Sequence, residues 1–540
     1  MNPQGDFHVY DTTLRDGAQQ EGLNLSVADK LTIARRIDEL GVGYIEGGWP
    51  GANPKDTEFF RRAQTELDLT HARLAAFGST RRAGARAADD PLVAALRDSG
   101  AQTVTLVAKS HDRHVELALR TTLEENLAMV RDTVSHLRAE GRQVFVDAEH
   151  FFDGYRDNRG YALDVLRAAW ESGAEVVALC DTNGGMLPPW VTEVVEDVMT
   201  VATETGGRVG MHAHNDTGCA VANSLAAVAA GATHVQGCLN GYGERTGNAD
   251  LVTVVANLEL KTGRQALPEG RLRDATRIAH AVAESTNVPP SSRQPYVGAS
   301  AFAHKAGLHA SAIKVDPDLY QHMDPAGVGN DMRLLVSDMA GRASIELKGR
   351  ELGFDLSHDK ELLTAITDRV KELEAAGMSF EAADASFELL LADLAGGGRP
   401  TYFEVESWRV ITESGGAAVG VGPGAGTLEA VSEATVKLRA GGERHVVTGE
   451  GNGPVNALDQ ALRGAIGRAY PEVAKFDLID YKVRILEAGH GTDAVTRVLI
   501  ETADGETSWV TVGVGHNVVE ASWAALTDAI TFGLRRHRVG

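Results

Sequence analysis

The stretch "RVGMHAHNDTG", residues 208–218, is one of eight strand-like runs whose spacing indicates the fold class, and it carries two histidines two positions apart. Residues i and i+2 of a β-strand share a face, so His212 and His214 project together, with Gly210 before them. Neutral imidazoles at this spacing can bind one metal ion. Two ordinary polar side chains hydrogen-bonded at a strand end are the alternative that this stretch alone leaves open.

The other runs extend the pattern over residues 1 to about 265, where β-branched strands alternate with amphipathic helices. One helix is predicted to begin at Ser26, with Asp29 as the capping-box partner, and to end at Gly41. Eight βα units are typical of a (β/α)8 (TIM) barrel. An open doubly wound sheet is disfavoured because no G-x-G-x-x-G turn follows the first strand. The predicted strands are "HVYDTT" (8–13), "GYIEGGW" (43–49), "RLAAFGS" (73–79), "TVTLVAKS" (103–110), "QVFVDAEHF" (143–151), "EVVALCDT" (175–182), "RVGMHAH" (208–214) and "THVQGCLN" (233–240).

The chain changes character after these units. "VPPSSRQPYVG" (288–298) predicts a linker, and residues 300–395 carry mostly helical patterns. Beyond residue 400, "GEGNGPVNALDQAL" (449–462) parallels "GVGHNVVEASWAAL" (513–526), and each copy is predicted to form three strands and a helix. The glycine-rich stretch 419–430 has no G-K-[ST], so we expect a mobile loop there and not a phosphate loop. The α/β chain is therefore divided into a TIM barrel (1–270), a mainly helical linker region (271–398) and a duplicated α/β domain (399–540).

Composition narrows the functional classes. The net charge of −23 argues against nucleic acid as a partner. An acidic enzyme then needs a local cation, such as a metal or an arginine, to hold an anionic substrate. Three cysteines without a C-x-x-C pair favour a reducing cytoplasm and argue against a structural zinc site. No apolar leader or membrane-spanning run is found in the sequence, so we expect no membrane association.

Polar residues follow several other predicted strands and should meet at the rim where barrel enzymes build their sites. The polar residues at or just after these strand ends are Arg15, Asp16, Glu149, Thr182 and Asn248. A carboxylate with two histidines is a mixed oxygen and nitrogen site for a divalent cation such as Mg, Mn, Co or Zn. The same ligand set is also found in iron oxygenases, which is the rival interpretation from another enzyme class.

Three motifs, "DTTLRDGAQ" (11–19), "HAHND" (212–216) and "GYGERTGN" (241–248), resemble the metal-dependent barrel family of isopropylmalate synthase, homocitrate synthase and citramalate synthase. The resemblance covers nearly the whole chain, including "FAHKAGLHASAI" (302–313) and the duplicated C-terminal domain. "IEGGWPGANPKD" (45–56) and the length are most similar to the long bacterial citramalate synthases.

The resemblance implies roles for individual residues. Asp16, His212 and His214 match the metal ligands, and Asn248 matches a residue that completes or supports the site. Arg15 and Gln19 match residues at the keto acid, Thr182 one that binds its carboxylate, and Glu149 the catalytic carboxylate. His309 and Tyr320 match catalytic residues that the partner subunit supplies, which implies a homodimer.

The resemblance also implies an activity, with acetyl-CoA as co-substrate. We expect an acyltransferase that condenses acetyl-CoA with pyruvate and water to (R)-citramalate and CoA, in isoleucine biosynthesis. The alternative substrate is 2-ketoisovalerate, in leucine biosynthesis. Either Glu149 or His309 is the base. The C-terminal domain is expected to bind isoleucine as a feedback effector, or else to be a dimerisation module without a ligand. A lyase running in reverse and a non-enzymatic sensor are the remaining rivals.

Overall fold

The computed structural model describes residues 7–395, 398–413, 431–486 and 494–539. The chain forms two compact units, Met1–Phe302 with Met323–Asp331, and Ala303–His322 with Met332–Gly540. The three-domain division drawn from the sequence stays a prediction, and the glycine-rich stretch 419–430 lies outside the described residues. Among the described residues, no helix has both the length and the apolar composition needed to cross a membrane.

The first unit is a closed barrel of eight parallel strands in sequential order, which confirms the predicted fold class. Strand β1 pairs with both β2 and β8, so the sheet has no free edge. Every predicted strand is present. The strands are β1 (His8–Asp11), β2 (Tyr44–Gly48), β3 (Arg73–Ser79), β4 (Thr103–Lys109), β5 (Gln143–Glu149), β6 (Val176–Asp181), β7 (Arg208–Ala213) and β8 (His234–Gly237).

Helices lie between and after the strands, and the first shows why they start and stop where they do. Ser26 Oγ accepts from the Asp29 amide while Asp29 Oδ2 accepts from the Ser26 amide, which is the predicted capping box. Gly41, at φ 92°, ends the helix in the left-handed region. The helices are α1 (Val27–Leu40), α2 (Pro54–Glu66), α3 (Pro91–Asp98), α4 (Asp112–His114, continued by a π turn, Val115–Leu119), α5 (Leu123–Ala139), α6 (Phe151–Asp157), α7 (Arg159–Glu171), α8 (Pro188–Thr205), α9 (Ala220–Ala229), α10 (Leu251–Thr262) and α11 (Ala275–Thr286).

The interior of the barrel is layered. Near the N-terminal ends of the strands, the rings of Tyr10, Tyr44 and Phe145 pack against one another and fill the floor. This aromatic floor closes the lower barrel, so the polar residues at the opposite, C-terminal ends of the strands face an open space.

The predicted linker 288–298 is in fact part of the first unit. Tyr296 and Val297 are buried in the barrel's hydrophobic core, and Asn330 Nδ2 donates to the Tyr296 carbonyl. The prediction counted prolines and serines and underweighted this apolar pair, whose burial stabilises the docked segment.

The second unit contains the predicted duplication. Two three-stranded antiparallel sheets each carry one helix, with α16 packed on the first sheet and α17 on the second. The strands are β9 (Ala303–His304), β10 (Arg333–Leu334), β11 (Phe403–Glu413), β12 (Val431–Ala440), β13 (Glu443–Gly451), β14 (Asp477–Ile485), β15 (Thr496–Ala503) and β16 (Ser508–Gly515). The helices are α12 (Gly307–Ile313), α13 (Arg342–Glu351), α14 (Lys360–Ala375), α15 (Asp384–Ala395), α16 (Pro454–Ile466) and α17 (Val518–Val539).

Candidate active site at the barrel rim

Three side chains at the rim point ligand atoms at one spot. His212 Nε2 lies 3.2 Å from Asp16 Oδ2 and 3.2 Å from His214 Nε2, and His214 Nε2 lies 3.7 Å from Asp16 Oδ2. All three residues are buried, and they form the cluster of potential metal ligands found among the described residues. The spacing suits one ion with bonds of roughly 2.0–2.2 Å to each atom, as for zinc. The residues therefore fit a divalent metal.

Strand β7 and the turn after β1 position this triangle. His212 is in the strand and His214 directly follows it, on the same face, as the i, i+2 spacing predicted. Asp16 is held in a tight turn, where its amide donates to the Thr12 carbonyl, and the Thr12 amide in turn donates to Gly237 on β8. The position of the Asp16 carboxylate thus depends on the hydrogen bond that joins the end of β1 to β8 and closes the barrel.

The electrostatics keep the carboxylate charged and one imidazole neutral. Burial alone would raise the pKa of Asp16, but the Arg15 guanidinium and His212 outweigh it and hold that pKa well below its usual range. Burial, and then repulsion from His212, lowers the pKa of His214 to about 4. Metal ligands must be an ionised carboxylate and neutral imidazoles, so these two shifts favour a cation at this site. His212 differs, because burial would lower its pKa but the Asp16 carboxylate outweighs burial and raises it.

Asn248 lies beside the triangle. It forms a β-bridge with His214, and its Nδ2 donates to the Tyr242 carbonyl. Its Oδ1 is buried without a hydrogen-bond partner among the described residues, as is Nδ1 of His214. A buried amide oxygen without a partner is costly, and coordination or a bound water would satisfy it.

Arg15 lies next to Asp16 and is held from two sides. Its Nε donates to Glu46 Oε2 at 2.5 Å, and its guanidinium lies 3.7 Å above the Phe77 ring. Glu46 is fully buried and also accepts from the Tyr10 hydroxyl at 2.7 Å. Sequence reasoning missed Glu46 as a site residue, although an acid inside the apolar run "YIEGG" was a visible signal.

A cavity of about 420 Å³ opens above the triangle. It brings together most residues that the sequence analysis selected within the barrel, namely Arg15, Asp16, Gln19, Glu149, Thr182, His212 and His214. Asn248 is beside the ligands without lining the cavity. The Thr182 Oγ1 atom accepts from the His150 amide at 2.9 Å, which fixes this hydroxyl at the cavity wall.

Glu149 has a partner that the sequence analysis did not name. Lys109 Nζ forms a salt bridge with Glu149 Oε2, and the two residues are aligned on neighbouring strands β4 and β5. Lys109 also lines the cavity. The site therefore contains two cationic side chains, Lys109 and Arg15.

His309 and Tyr320 lie in the second unit. His309 is on α12 and Tyr320 follows a 3-10 turn, and their rings stack with centroids 4.1 Å apart. Tyr320 is exposed. The structure thus brings the two predicted residues to each other, and their delivery by a partner subunit stays a prediction.

The parallel barrel and its carboxylate–histidine cluster define a barrel enzyme with a candidate divalent-metal site. Family models match the chain over residues 6–281 (HMGL-like), 296–378 (homocitrate synthase post-HMGL domain-like) and 381–534 (LeuA allosteric (dimerisation) domain). The chain belongs to the HMGL-like family, a metal-dependent family, as the resemblance implied.

Relatives of similar length refine this assignment. An (R)-citramalate synthase of Streptomyces coelicolor is 68% identical over 98% of this chain and 97% of its own length. An (R)-citramalate synthase of Synechocystis is 47% identical over 98% of this chain and 96% of its own. A 2-isopropylmalate synthase of Methanocaldococcus jannaschii is 28% identical over 98% and 95%. The predicted membership among these condensing enzymes is confirmed.

Proposed function

We propose that the chain condenses acetyl-CoA with pyruvate and water to (R)-citramalate and CoA at a divalent-metal centre. The observation that carries this proposal is the buried triangle of Asp16, His212 and His214 at the floor of a small cavity. The 68% identity to an (R)-citramalate synthase supports pyruvate as the keto acid. 2-Isopropylmalate synthase, which would use 2-ketoisovalerate, is supported only by more distant relatives.

The residues around the triangle suit a 2-keto acid. A bound divalent cation (Mn, Mg, Co or Zn) would polarise the keto carbonyl. Arg15, held in place by Glu46, can stabilise the negative charge that develops on the carbonyl oxygen, and one such contact contributes roughly 3 kcal/mol. Gln19 and Thr182 line the same cavity and offer polar atoms to the substrate carboxylate.

The condensation needs a base for the acetyl methyl group. Once the proton is removed, the carbanion attacks the keto carbon, and water then cleaves the thioester with CoA as the leaving group. Glu149 lines the cavity and can accept the proton if Lys109 releases or shares its carboxylate. His309, stacked on Tyr320, is the other candidate base, and it would act in the active site of a partner subunit.

Exposed apolar side chains support a homodimer. Around His309 in the second unit, Leu308, Val315 and Leu319 are exposed at 74%, 82% and 60%. Further exposed apolar residues on the C-terminal sheets are Val405, Ile411, Val446, Ile479, Val483 and Ile485. Clusters of this kind on a monomer mark surfaces that a partner covers.

The C-terminal repeat offers a site for a small amino-acid effector, for which we propose isoleucine. A cavity of about 620 Å³ lies at the start of α16, where Gly453 caps the helix without a side chain. A helix N-terminus suits a carboxylate, and Val455 and Leu478 supply apolar walls for a side chain.

The free thiols of the three cysteines support a reducing compartment, the cytoplasm.

Assaying CoA release with acetyl-CoA, Mn²⁺ and a panel of 2-keto acids tests the activity. We expect kcat/KM to be highest for pyruvate and the product to be (R)-citramalate. A higher kcat/KM for 2-ketoisovalerate would assign the second candidate reaction. No CoA release with any keto acid in the presence of metal would reject condensation altogether.

A further inference from the structure

A hydrogen-bonded chain of buried side chains reaches one ligand of the proposed metal centre from behind. His212 Nδ1 lies 2.8 Å from Gln236 Oε1, and Gln236 Nε2 donates to Asp147 Oδ1 at 2.8 Å. All three residues are at most 4% exposed. We propose that Asp147 and Gln236 are positioning residues that fix the tautomer and ring orientation of His212 for a metal ion. The inference rests on the proposed metal centre.

The donor and acceptor roles follow from Asp147. A carboxylate can only accept, so the amide group of Gln236 must turn its NH₂ toward Asp147. Its carbonyl oxygen then faces His212, and Nδ1 of that ring must carry the proton. The lone pair of the neutral ring is left on Nε2, the atom that faces Asp16 and His214. Metal-binding histidines are commonly oriented by such a second hydrogen bond.

The barrel is built so that this contact can form across its interior. Asp147 is on β5 and Gln236 is on β8, so two strands separate them. In the same layer these strands carry the small residues Ala178 and Gly210, in register with Asp147. A Cβ at position 210 would come within 2.8 Å of the His234 ring and 3.2 Å of the Ala178 methyl. The glycine before the two histidines therefore belongs to a crowded layer that has no space for a side chain.

Backbone pairing of β8 with β1 and β7 closes the barrel, and the Gln236 side chain takes no part in that pairing. Gln236 is aligned with His212 on the neighbouring strand, and its side chain makes the two bonds described above. Among the described residues, Asp147 forms no hydrogen bond or ion pair with His212, but its negative charge also acts on that imidazole directly. Loss of Asp147 therefore has a charge effect that does not depend on Gln236 and a positioning effect that does, and only the positioning effect disappears when Gln236 is also replaced.

The test is the Kd for Mn²⁺ of metal-stripped, full-length protein, measured by EPR without substrate. We expect Gln236→Met, which removes the acceptor but keeps the length, to weaken Mn²⁺ binding about 10- to 100-fold. Gln236→Glu, which shares a proton with the adjacent Asp147 carboxylate, keeps both the donor to Asp147 and the acceptor for His212 and should bind within a few-fold of wild type. Asp147→Leu should weaken binding, and this loss should be smaller in the Gln236→Met background, where only the charge effect of Asp147 remains.

The matched control is Asp38→Asn. Asp38 is a buried carboxylate on α1 that accepts from the amides of His71 and Ala72 and does not line the cavity. Its substitution should lower stability and leave the Kd for Mn²⁺ unchanged. If Gln236→Met does not fold, Asp147→Leu tests the same claim.

An unchanged Kd in whichever variant folds would overturn the positioning chain, and so would additive losses in the double variant. A wild-type protein that binds no Mn²⁺ would instead reject the metal centre itself. The two failures are therefore distinguishable.

Discussion

The floor of the barrel should be sensitive to acid because of His8. This residue is fully buried among the rings of Tyr44, Phe145 and His234, and its Nε2 lies 2.7 Å from Arg208 Nη1. A guanidinium only donates, so Nε2 accepts and the imidazole is neutral. Burial, and then the charge of Arg208, lowers the pKa of His8 from 6.5 to about 3.

The direction of the effect follows from this lowered pKa. Below pH 6.5 the unfolded chain binds a proton at His8, whereas the folded chain does so only near pH 3. The free energy of unfolding therefore falls as the pH falls through this window. Between pH 8 and pH 5 the loss from this one group is about 2 kcal/mol. This value depends almost entirely on the unfolded-state pKa, because the folded-state pKa lies well below 5.

Hydrogen exchange at backbone amides of the barrel strands, at pH 8 and pH 5, measures this loss in the free energy of unfolding. Because only barrel amides are followed, unfolding of the second unit does not contribute to the result. His8→Phe removes the titrating group, and its lost contact with Arg208 lowers stability equally at both pH values. We expect the stability difference between wild type and His8→Phe to change by about 2 kcal/mol between the two pH values. An identical acid-induced loss in both proteins would show that His8 is not the source of the acid sensitivity.

Three further predictions concern function. Glu46→Gln weakens the hold on Arg15 and should lower kcat about 10²-fold with pyruvate, measured as CoA release; an unchanged kcat would show that Glu46 does not contribute to the reaction. Mixing inactive His309→Ala and Asp16→Asn proteins should restore activity through hybrid dimers, and its absence after demonstrated subunit exchange would show that each chain completes its own site. Val455→Trp, which fills the C-terminal cavity, should abolish inhibition by isoleucine, while Val519→Trp, at the matching position of the second repeat, should preserve it. A full-length enzyme indifferent to millimolar isoleucine would leave this domain without the proposed effector.

The sequence predicted the parts of the structure that depend on local spacing. Strand–helix alternation gave all eight strands, and the i, i+2 rule placed His212 and His214 on one face. Asp16 was predicted because the end of β1 lies at the same rim. These relations need only the period of a strand and the closure of a barrel.

Contacts between distant strands could not be predicted in this way. Arg15 meets Glu46, and Lys109 meets Glu149, 40 residues further along the chain. The bond between Gln236 and Asp147 spans 89 residues and crosses the barrel interior. Which inward side chains reach each other depends on strand register and on small residues in the intervening strands, and neither is visible in one sequence.

Asp16, His212 and His214 are proposed to hold the metal on which condensation depends. The most direct measurement is the rate of CoA release from acetyl-CoA and pyruvate by metal-stripped enzyme as Mn²⁺ is added back. We expect no activity without metal and full recovery in wild type. Asp16→Asn should stay inactive at every Mn²⁺ concentration while keeping its fold by circular dichroism. Full turnover after exhaustive metal removal, or an active Asp16→Asn enzyme, would contradict the account.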